Sequence, residues 1–456
     1  MNLPSITSCT VSIIGLGYVG LPLAIQIAKT RTSVDSNQIL NRKVIGFDID
    51  LKRIEELNKG YDYTGEVSKE DLADNKYINF TSNFQSLDSS DVYIVTVPTP
   101  IDANKNPDLR YLISASEIVG KSIKKRKEIL QGSLDNSSPI IIFESTVYPG
   151  ATEEICASKI EEVSGIIYNS KNLNNSFYCG YSPERINPGD LDHRISDITK
   201  VTSGSNKIVA EWIDKFYSSI IKAGTHKTSS IKVAEAAKVI ENTQRDLNIA
   251  LANELSIIFN LMNIDTLEVI EAAGTKWNFQ SFKPGFVGGH CIGVDPYYLT
   301  HKSKVLGYEP QVVLAGRKIN NYMPKFIVVK LIQAMAKNKI VIGGSKVLVM
   351  GFTFKANCCD TRNTGTAFLI DELLEYDIKP VVWDPWIKEN QSYNGCLIKK
   401  DLTLNNSDYS AILLTVAHKQ FLNLTINEWD MVTNNGESII IDLKGAVPQS
   451  INPIRI

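Results

Sequence analysis

Short apolar runs alternate with stretches of helical periodicity in the first half of the chain, a pattern typical of a parallel sheet covered by helices. Five segments predict strands: TVSIIGL (10–16), KVIGFDI (43–49), VYIVTV (92–97), PIIIFEST (139–146) and SFYCGY (176–181). The alternation resumes later, in KVLVMGF (346–352), PVVWD (380–384), SAILLTV (410–416) and SIIIDL (438–443). The pattern therefore predicts an α/β protein with two doubly wound parallel sheets and a cleft between them, close to the carboxyl ends of their strands.

A long helical pattern separates the two alternating regions, running from Ile231 to Met262. Its apolar residues recur at helical spacing, which predicts a helix buried in the centre of the protein; they are Val233, Ala237, Ile240, Leu247, Leu251, Leu255 and Ile258. Lys238, Asn242 and Arg245 are three or four residues apart and share another, polar side of this helix. A further helix is expected from about Gln311 to Lys339.

Glycines at positions 15, 17 and 20 lie between the first predicted strand and an apolar helix start, in GLGYVGLPLAIQIA. Asp48 closes the next strand, where a dinucleotide-binding fold places the carboxylate that bonds the adenosine ribose. This carboxylate would repel the extra phosphate of NADP, so the expected cofactor is NAD. The distance from Gly20 to Asp48 exceeds the usual spacing of about 20 residues, and TRTSVDSNQILNRK (30–43) has to loop out. An ordinary glycine-rich turn is the alternative.

Composition and charge narrow the classes of partner. The 456 residues are too many for one core, and 48 basic against 50 acidic residues without long like-charge blocks argue against a nucleic-acid binder. No stretch reaches the roughly 18 apolar residues of a membrane helix, and the first residues do not resemble a signal peptide. We therefore expect a cytoplasmic protein with a small anionic or neutral ligand, bound neither to nucleic acid nor to membrane.

Seven scattered cysteines without a CxxC pair argue against a disulfide framework and against a metal site. Cys291 differs from the others because it follows two glycines and a histidine in VGGHCIGVDPYYL (287–299). Beside an NAD site, a thiolate can trap an aldehyde as a thiohemiacetal that loses a second hydride and becomes a thioester. Cys291, Lys238, Asn242 and Asp295 could supply this chemistry, although the pattern alone does not bring them together, and Cys291 could also be structural.

Seven motifs, in this order, resemble the nucleotide-sugar 6-dehydrogenases, the family of UDP-glucose and GDP-mannose dehydrogenases. They are GLGYVGLP, VPTP, ESTVYPG, SPERINPGD, KVAEAAKVIENTQRD, GGHCIGVDPYYL and GFTFKANCCDTRNT. The stretch TKWNFQSFKPGFVGGHCIGVDPYYLTHK is most similar to the bacterial branch that oxidises UDP-N-acetylglucosamine or UDP-N-acetylgalactosamine to the uronic acid for surface polysaccharide synthesis.

The resemblance implies a role for each matching position. Cys291 matches the nucleophile and Lys238 the residue that handles the alcohol proton and stabilises the oxyanion. The implied catalytic set is Cys291, Lys238, Asn242, Asp295, Glu184 and Thr146. The implied NAD contacts are Gly15, Gly17, Tyr18, Val19, Gly20, Asp48, Arg53, Thr99, Thr146 and Arg362. The implied substrate contacts are Arg185, Ile186, Lys238, Asn242, Arg245, Gly285, Phe354 and Lys355.

The resemblance also implies an NAD-binding Rossmann domain over residues 1–212, a central helical domain with the cysteine loop over 213–325 and a C-terminal UDP-sugar-binding domain over 326–456. Family members dimerise through the central helix, so a homodimer is expected, although a helix buried within one chain would show the same pattern.

One position departs from the UDP-glucose pattern. UDP-glucose dehydrogenases carry a second glutamate four residues after the SPE glutamate, and Pro188 stands there. This favours an N-acetylated sugar and leaves the water-activating group unassigned. A two-electron dehydrogenase or epimerase, a binding protein without catalysis, and the choice between gluco and galacto configuration stay open.

Overall fold

A computed structural model describes residues 1–73, 76–130, 137–170, 175–186, 194–289, 291–403, 409–433 and 436–456. The chain divides into two compact units. The first unit comprises 1–241 and 297–306, and the second comprises 242–296 and 307–456.

The first unit contains a parallel sheet of seven described strands in the order β3-β2-β1-β4-β5-β7-β6. The strands are β1 Thr10–Ile14, β2 Lys43–Phe47, β3 Ile78–Thr81, β4 Val92–Val95, β5 Ile140–Phe143, β6 Ile167–Tyr168 and β7 Ser176–Tyr181. β4 and β5 are buried at every position, as expected for strands covered on both faces. The described part of this unit also contains a parallel pair of strands, β8 Lys200–Thr202 and β9 Thr225–Lys227.

The second unit contains the second sheet, in the order β12-β13-β11-β10-β14-β15-β16. Its strands are β10 Lys346–Met350, β11 Lys379–Trp383, β12 Gln391–Tyr393, β13 Cys396–Lys399, β14 Ala411–Leu414, β15 Ile439–Asp442 and β16 Ile454–Arg455. The pairings are parallel except that of β12 with β13. The predicted α/β class is therefore confirmed, and each of the nine predicted strands is present. The short strands β3, β6, β8, β9, β12, β13 and β16 were not predicted.

Helices cover the sheets and form the centre of the chain. In the first unit they are α1 Gly20–Lys29, α2 Leu51–Asn58, α3 Lys69–Ala73, α4 Arg110–Ile129, α5 Ser158–Ser164, which continues a π-helical turn at Thr152–Ala157, and α6 Lys207–Ser218. The central part contributes α7 Ile231–Leu261, α8 Thr266–Gly274, α9 Asp295–Val305 and α10 Gln311–Lys337, and the second sheet carries α11 Gly365–Leu374, α12 Lys419–Leu422 and α13 Ile426–Val432.

Two loops begin where the order of a sheet reverses. In the first unit β1 lies between β2 and β4, and the glycine-rich segment 15–19 follows it. In the second unit β10 lies between β11 and β14, and the segment 351–364 follows it. Open α/β sheets bind ligands at such points, outside the carboxyl ends of the strands. The sheet topology therefore places one candidate ligand loop on each unit.

The long helix α7 has the predicted position, but the prediction that its apolar stripe is buried is wrong for the single chain. Val233, Ile240, Leu251 and Ile258 are 47%, 51%, 56% and 44% exposed. The buried face is largely polar and includes Glu235, Lys238, Thr243, Asp246, Asn253 and Ser256. The periodicity identified the helix correctly, but it could not show which of the two faces packs within the chain.

A search of the described residues for an apolar helix of membrane-spanning length finds none.

Candidate active site

Two of the three glycines in the loop of the first unit, Gly15 and Gly20, lie where a side chain would contact neighbouring atoms closely. Gly15 has φ +94°, a conformation that favours glycine, and a Cβ at Gly20 would lie 1.9 Å from the carbonyl oxygen of Gly15. Gly17 differs because a Cβ there would meet nothing within 4 Å. The loop therefore packs α1 tightly against β1 while its tip stays open, and it leads into the N-terminus of α1, which suits a pyrophosphate.

Asp48 and Arg53 hold this loop from the next strand and helix. One carboxylate oxygen of Asp48 accepts the backbone N–H of Leu16 at 2.8 Å, and the other accepts that of Asp50 at 3.0 Å. The Arg53 side chain is buried, and its Nε donates to the carbonyl of Leu16 at 2.9 Å. Its guanidinium lies 2.8 Å from Asp62. Both residues thus brace the glycine loop, a role that sequence reasoning had not given to Arg53.

Segment 30–42, which separates α1 from β2, forms no helix and only an isolated antiparallel bridge between Thr32 and Ile39. This is the looped-out insertion that the long spacing between Gly20 and Asp48 predicted. The spacing therefore does not disturb the pairing of β1 with β2 or the position of Asp48 at the end of β2.

Lys238 lies in the third turn of α7 and is buried. Glu235, three residues earlier on the same helix, is completely buried. Glu235 accepts the backbone N–H groups of Gly150 and of Thr152, the latter at 2.9 Å, at the start of the helix that follows ESTVYPG. Burial raises the pKa of Glu235 to about 7, against the effect of these hydrogen bonds. The carboxylate therefore ties the helix that carries Lys238 to the loop that carries Thr146.

Glu184 belongs to a buried network that its motif did not reveal. The Lys200 ammonium lies 3.0 Å from Glu184 and 2.8 Å from Glu144, and Tyr217 donates its hydroxyl to Glu144. Burial raises the pKa of Glu144, whereas the two carboxylates outweigh burial and keep the pKa of Lys200 above its usual value. The second oxygen of Glu184 accepts the backbone N–H groups of Arg185 and Ile186 at 2.6 and 2.7 Å. The Glu184 carboxylate is therefore held in one orientation.

The other predicted site residues of the first unit lie in loops, outside its helices and strands. The Thr99 carbonyl accepts the hydroxyl of Tyr298 at 2.8 Å. Arg185 lies 2.8 Å from Glu241. Thr146, Tyr18 and Val19 are half-buried. Pro188, on which the choice of an N-acetylated sugar partly depended, lies outside the described residues.

In the second unit the Cys291 loop is packed through its glycines. A Cβ at Gly288 would lie 3.1 Å from the Cβ of Phe354, and one at Gly289 would lie 2.9 Å from the Phe354 ring. The two glycines thus let the backbone of the loop approach Phe354 closely. Cys291 is half-buried, and its carbonyl accepts the N–H groups of Val294 at 3.0 Å and Asp295 at 2.8 Å. This turn leads directly into α9.

Asn242 and Asp295 are brought together within the second unit. Asn242 donates its side-chain amide to Oδ2 of Asp295 at 2.5 Å, and the Asp295 side chain is buried. Arg245, three residues after Asn242, is exposed, so the predicted polar side of α7 is not uniform. Sequence spacing alone did not predict that the pair Asn242–Asp295 links the helix to the cysteine loop.

Lys444 is a candidate site residue that sequence reasoning missed. A Cβ at Gly285 would lie 2.1 Å from the Lys444 ammonium nitrogen, so this cation rests against the backbone of a predicted substrate residue. Burial lowers the pKa of Lys444 to about 8, against the effect of Asp442. The signal in the sequence is weak: DLKG follows the strand β15, at the ligand-binding end of the sheet.

The loop after β10 is fastened to the second sheet by a buried histidine. Nδ1 of His418 accepts the backbone N–H of Asn357 at 3.0 Å, and its Nε2 lies 3.1 Å from both Asp384 and the Thr353 hydroxyl. Because Nδ1 is the acceptor, the ring proton resides on Nε2 and points to Asp384. The segment that carries the predicted residues Phe354 and Lys355 is thereby fixed.

Arg362 lies further along this loop and is 47% exposed, while its guanidinium pairs with Asp360 at 2.6 Å. The predicted site residues are thus distributed over both units. The first unit holds the glycine loop, Asp48, Arg53, Thr99, Thr146, Glu184, Arg185, Ile186 and Lys238, and the second holds Asn242, Arg245, Gly285, Cys291, Asp295, Phe354, Lys355 and Arg362.

Comparison with known proteins identifies the family. Three models of the UDP-glucose/GDP-mannose dehydrogenase family match in succession: the NAD binding domain over residues 9–221, the central domain over 232–322 and the UDP binding domain over 348–449. The chain is 50% identical over 446 residues to UDP-N-acetyl-D-glucosamine 6-dehydrogenase from Pseudomonas aeruginosa, covering 98% of this chain and 99% of the relative.

The chain belongs to the UDP-glucose/GDP-mannose dehydrogenase family.

Two further relatives agree with this membership. UDP-N-acetyl-D-glucosamine 6-dehydrogenase from Salmonella typhi is 48% identical over 446 residues, covering 98% of both chains. The solved structure of UDP-D-ManNAc dehydrogenase from Pyrococcus horikoshii superposes with a TM-score of 0.82 at 26% identity, covering 98% of both chains. The family member described here is therefore an NAD-dependent nucleotide-sugar dehydrogenase with a UDP-binding domain, as the resemblance predicted.

Proposed function

We propose that this dehydrogenase oxidises C6 of a UDP-N-acetylhexosamine, foremost UDP-N-acetylglucosamine, to the uronic acid by two successive hydride transfers. The observation that carries this proposal is the near full-length identity of 50% to the Pseudomonas UDP-N-acetyl-D-glucosamine 6-dehydrogenase. The overall change is an alcohol plus two NAD⁺ and water giving a carboxylate, two NADH and three protons. The galacto epimer is the alternative that the sequence left open.

The residues of the first unit fit NAD. The open space at Gly17 is large enough for a backbone-to-phosphate approach, the N-terminus of α1 favours an anion, and the carboxylate of Asp48 ends β2 where an adenosine ribose would lie. NAD, when bound, supplies the hydride acceptor. Further proposed NAD contacts are Tyr18, Val19, Arg53, Thr99 and Thr146 in this unit and Arg362 in the second unit.

The proposed chemistry of the chain itself needs a nucleophile and a cation. Lys238 stabilises the alkoxide as the alcohol loses its proton, and the Cys291 thiolate then adds to the C6 aldehyde, forming a C–S bond. Loss of the second hydride leaves a thioester, and water cleaves its C–S bond to release the acid and the thiolate. Asn242 and Asp295 orient the groups around C6, and Glu184 lies in a network that can take up a proton.

The anionic diphosphate of the substrate is proposed to interact with the second unit. Phe354 and Lys355, in the loop fixed by His418, and Lys444, against Gly285, are the proposed contacts there. Arg185, Ile186 and Arg245 complete the proposed substrate set. The order of the three family models supports a division into three domains, for which we propose the limits 1–212, 213–325 and 326–456. The NAD binding domain model extends to residue 221, nine residues beyond the first proposed limit.

We also propose a homodimer formed through α7. Leu251 and Ile258 are exposed on the helix, and the neighbouring Leu261 and Met262 are 80% and 57% exposed, which is unusual for a surface that contacts only water. Sedimentation analysis should show a dimer for the unmodified chain and a monomer for Leu251→Glu. Ile208→Glu changes an apolar residue of similar exposure on α6 and serves as the control. A monomeric unmodified chain would contradict the proposal. A cytoplasmic location and a role in polysaccharide synthesis stay predictions.

A substrate screen tests the function. NADH formation is followed with UDP-N-acetylglucosamine, UDP-N-acetylgalactosamine, UDP-N-acetylmannosamine, UDP-glucose and GDP-mannose. We expect two NADH per sugar and the highest kcat/KM with UDP-N-acetylglucosamine. One NADH per sugar would indicate a two-electron dehydrogenase, and no turnover with any of the five would indicate a binding protein. A preference for the mannosamine sugar would instead favour the specificity named for the Pyrococcus structure.

A further inference from the structure

Asn253 forms a pair of hydrogen bonds, the Asn253 clasp, with the backbone at the start of the Cys291 loop. Its side-chain oxygen accepts the N–H of Gly285 at 2.8 Å, and its side-chain nitrogen donates to the carbonyl of Gly285 at 3.0 Å. The Asn253 side chain therefore pairs with both backbone polar groups of Gly285, as the backbone of a residue in a neighbouring β-strand would. Asn253 is completely buried, so water does not compete for these bonds. Gly285 has φ +153°, and a Cβ there would lie 2.1 Å from the Lys444 ammonium nitrogen, so any other residue would be strained at this position.

The orientation of the Asn253 side-chain amide is set by Asp246, through both its side chain and its backbone carbonyl. Oδ1 of Asp246 accepts from Arg317 at 2.7 Å and from the side-chain nitrogen of Asn320 at 2.7 Å. The backbone carbonyl of Asp246 accepts from the same Asn320 nitrogen at 3.0 Å. A carbonyl oxygen and an ionised carboxylate only accept hydrogen bonds, so Asn320 has to turn its nitrogen toward Asp246 and its oxygen away. That oxygen accepts the side-chain nitrogen of Asn253 at 2.8 Å. The nitrogen of Asn253 is thus directed to Asn320 and to the Gly285 carbonyl, which leaves its oxygen for the Gly285 N–H.

The same helix holds both ends of the cysteine loop. Asn242 and Asn253 are eleven residues apart on α7, about three helical turns, so they project from one face. Asn253 binds Gly285 before the loop, and Asn242 binds Asp295 after it. Cys291 lies between these two fixed points, and Gly288 and Gly289 pack against Phe354. All of these residues belong to the second unit.

We propose that Asn253, oriented by Asp246 through Asn320, is a positioning residue that fixes the Cys291 loop for the nucleophilic step. This proposal rests on the proposed role of Cys291, but it makes a separate structural claim about Gly285. Asn253 itself does not contact the reacting atoms. Its loss should release the loop locally while the nucleotide contacts of the first unit are unchanged.

Two variants and one control test the proposal in the full-length enzyme. Asn253→Ala removes the clasp. Asp246→Asn keeps Asn253 and Gly285 but replaces the charged acceptor of the relay with a neutral amide, leaving the backbone carbonyl of residue 246 as the unchanged acceptor. Asn260→Ala is the control, because Asn260 is half-buried on the same helix seven residues further on. Hydrogen–deuterium exchange is measured for the peptide over 284–289 and for peptides of α10 and β10. Steady-state kcat, KM for NAD and KM for the UDP-sugar are measured in parallel.

Both variants should increase exchange in 284–289 more than in α10 or β10. They should lower kcat by about 10- to 100-fold, as is usual when a supporting residue of a reacting group is lost. KM for NAD should stay within about twofold of the unmodified value. Combining Asn253→Ala with Asp246→Asn should cost little beyond either change alone, because the two residues act in one relay. The control should resemble the unmodified enzyme in exchange and in kcat.

Unchanged exchange in 284–289 for both variants would overturn the proposal, whatever the activity. Exchange that rises equally in 284–289, α10 and β10 would also overturn it, because it would show a general loss of stability. If Asn253→Ala does not fold, Asp246→Asn alone decides by the same two measurements. An unmodified enzyme that oxidises none of the UDP-sugars would end the proposed function, while the exchange measurement would still test the clasp.

Discussion

Alanine at Gly17 and alanine at Gly20 should damage the enzyme in two different ways. Both glycines belong to one loop, but the space around them differs. A Cβ at Gly20 would lie 1.9 Å from the Gly15 carbonyl oxygen and 2.4 Å from the Thr96 hydroxyl, whereas a Cβ at Gly17 would meet nothing within 4 Å. We propose that the pyrophosphate of NAD occupies the space at Gly17, which no atom of the described residues fills within 4 Å. Gly20→Ala should therefore affect stability and NAD binding, and Gly17→Ala only NAD binding.

The size of each effect follows from these distances. Relieving the contact at Gly20 needs a shift of about 1 Å or more, and such overpacking costs about 1–3 kcal/mol. Alanine in a helix returns about 0.5–1 kcal/mol relative to glycine. The net loss is up to about 2 kcal/mol, which lowers Tm by up to about 8 °C in a domain of this size. Displacing one N–H donor from a phosphate costs about 1.5–3 kcal/mol, or about 10- to 100-fold in the Kd of NAD.

For Gly17→Ala we expect a Tm within about 1 °C of the unmodified protein, because the backbone there is not left-handed and no protein atom is displaced. NAD should nevertheless bind at least about 10-fold more weakly, since the added methyl group occupies the path of the pyrophosphate.

Thermal unfolding and calorimetric titration measure the two properties. NAD is titrated into each variant, and UDP is titrated into the same preparations as the internal control. UDP binding should not change, because the proposed diphosphate contacts Phe354, Lys355 and Lys444 lie on the other unit. The reasoning would be refuted by a Gly17→Ala protein that binds NAD as tightly as the unmodified one. It would also be refuted if Gly20→Ala left both Tm and the Kd of NAD unchanged.

Three further predictions concern individual side chains. Asp48→Ser should weaken NAD and narrow the preference over NADP in steady-state kinetics, and equal use of both cofactors by the unmodified enzyme would contradict this. Cys291→Ser should stop after aldehyde-level turnover, while Lys238→Ala should slow the first hydride transfer by about 10²-fold or more. Rapid-mixing measurement of NADH distinguishes these two defects. Near-normal formation of two NADH per sugar by Cys291→Ser would exclude the thioester route. Because burial lowers the pKa of Lys444 to about 8, its ammonium is charged below that pH and neutral above it, so KM for the UDP-sugar should rise above pH 8. Lys444→Met should abolish this rise. An identical dependence of KM on pH in both proteins would argue against the contact between Lys444 and the substrate.

Local sequence signals predicted the framework well. The nine predicted strands correspond to observed ones because strands covered on both faces read as continuous apolar runs. The glycine loop and Asp48 could be placed because their geometry depends on residues close to two adjacent strands. The missed edge strands are short: β6 and β16 contain two residues each, too few for any periodicity.

The interior of the site could not be predicted in the same way. The choice between the two faces of α7 was wrong because its buried face carries Asp246 and Asn253, whose polar groups are satisfied by distant partners such as Arg317 and Gly285. When a buried polar side chain forms its hydrogen bonds with residues far away in the sequence, no pattern in the surrounding sequence reveals its burial. The same holds for Lys200 with Glu144 and for His418 with Asp384, which lie 56 and 34 residues apart.

Because most of its thiols are buried, the protein offers few sites for covalent inactivation through cysteine. Five of the seven cysteines are buried, and burial raises the pKa of Cys9 and of Cys156 to about 12 and that of Cys179 well above its usual value. Thiols of this kind are protonated at neutral pH and do not react with mild electrophiles. An inhibitor that carries a weak electrophile on a nucleotide-sugar scaffold therefore meets only Cys291 and Cys359 as accessible sulfurs, and the scaffold has to distinguish between just those two.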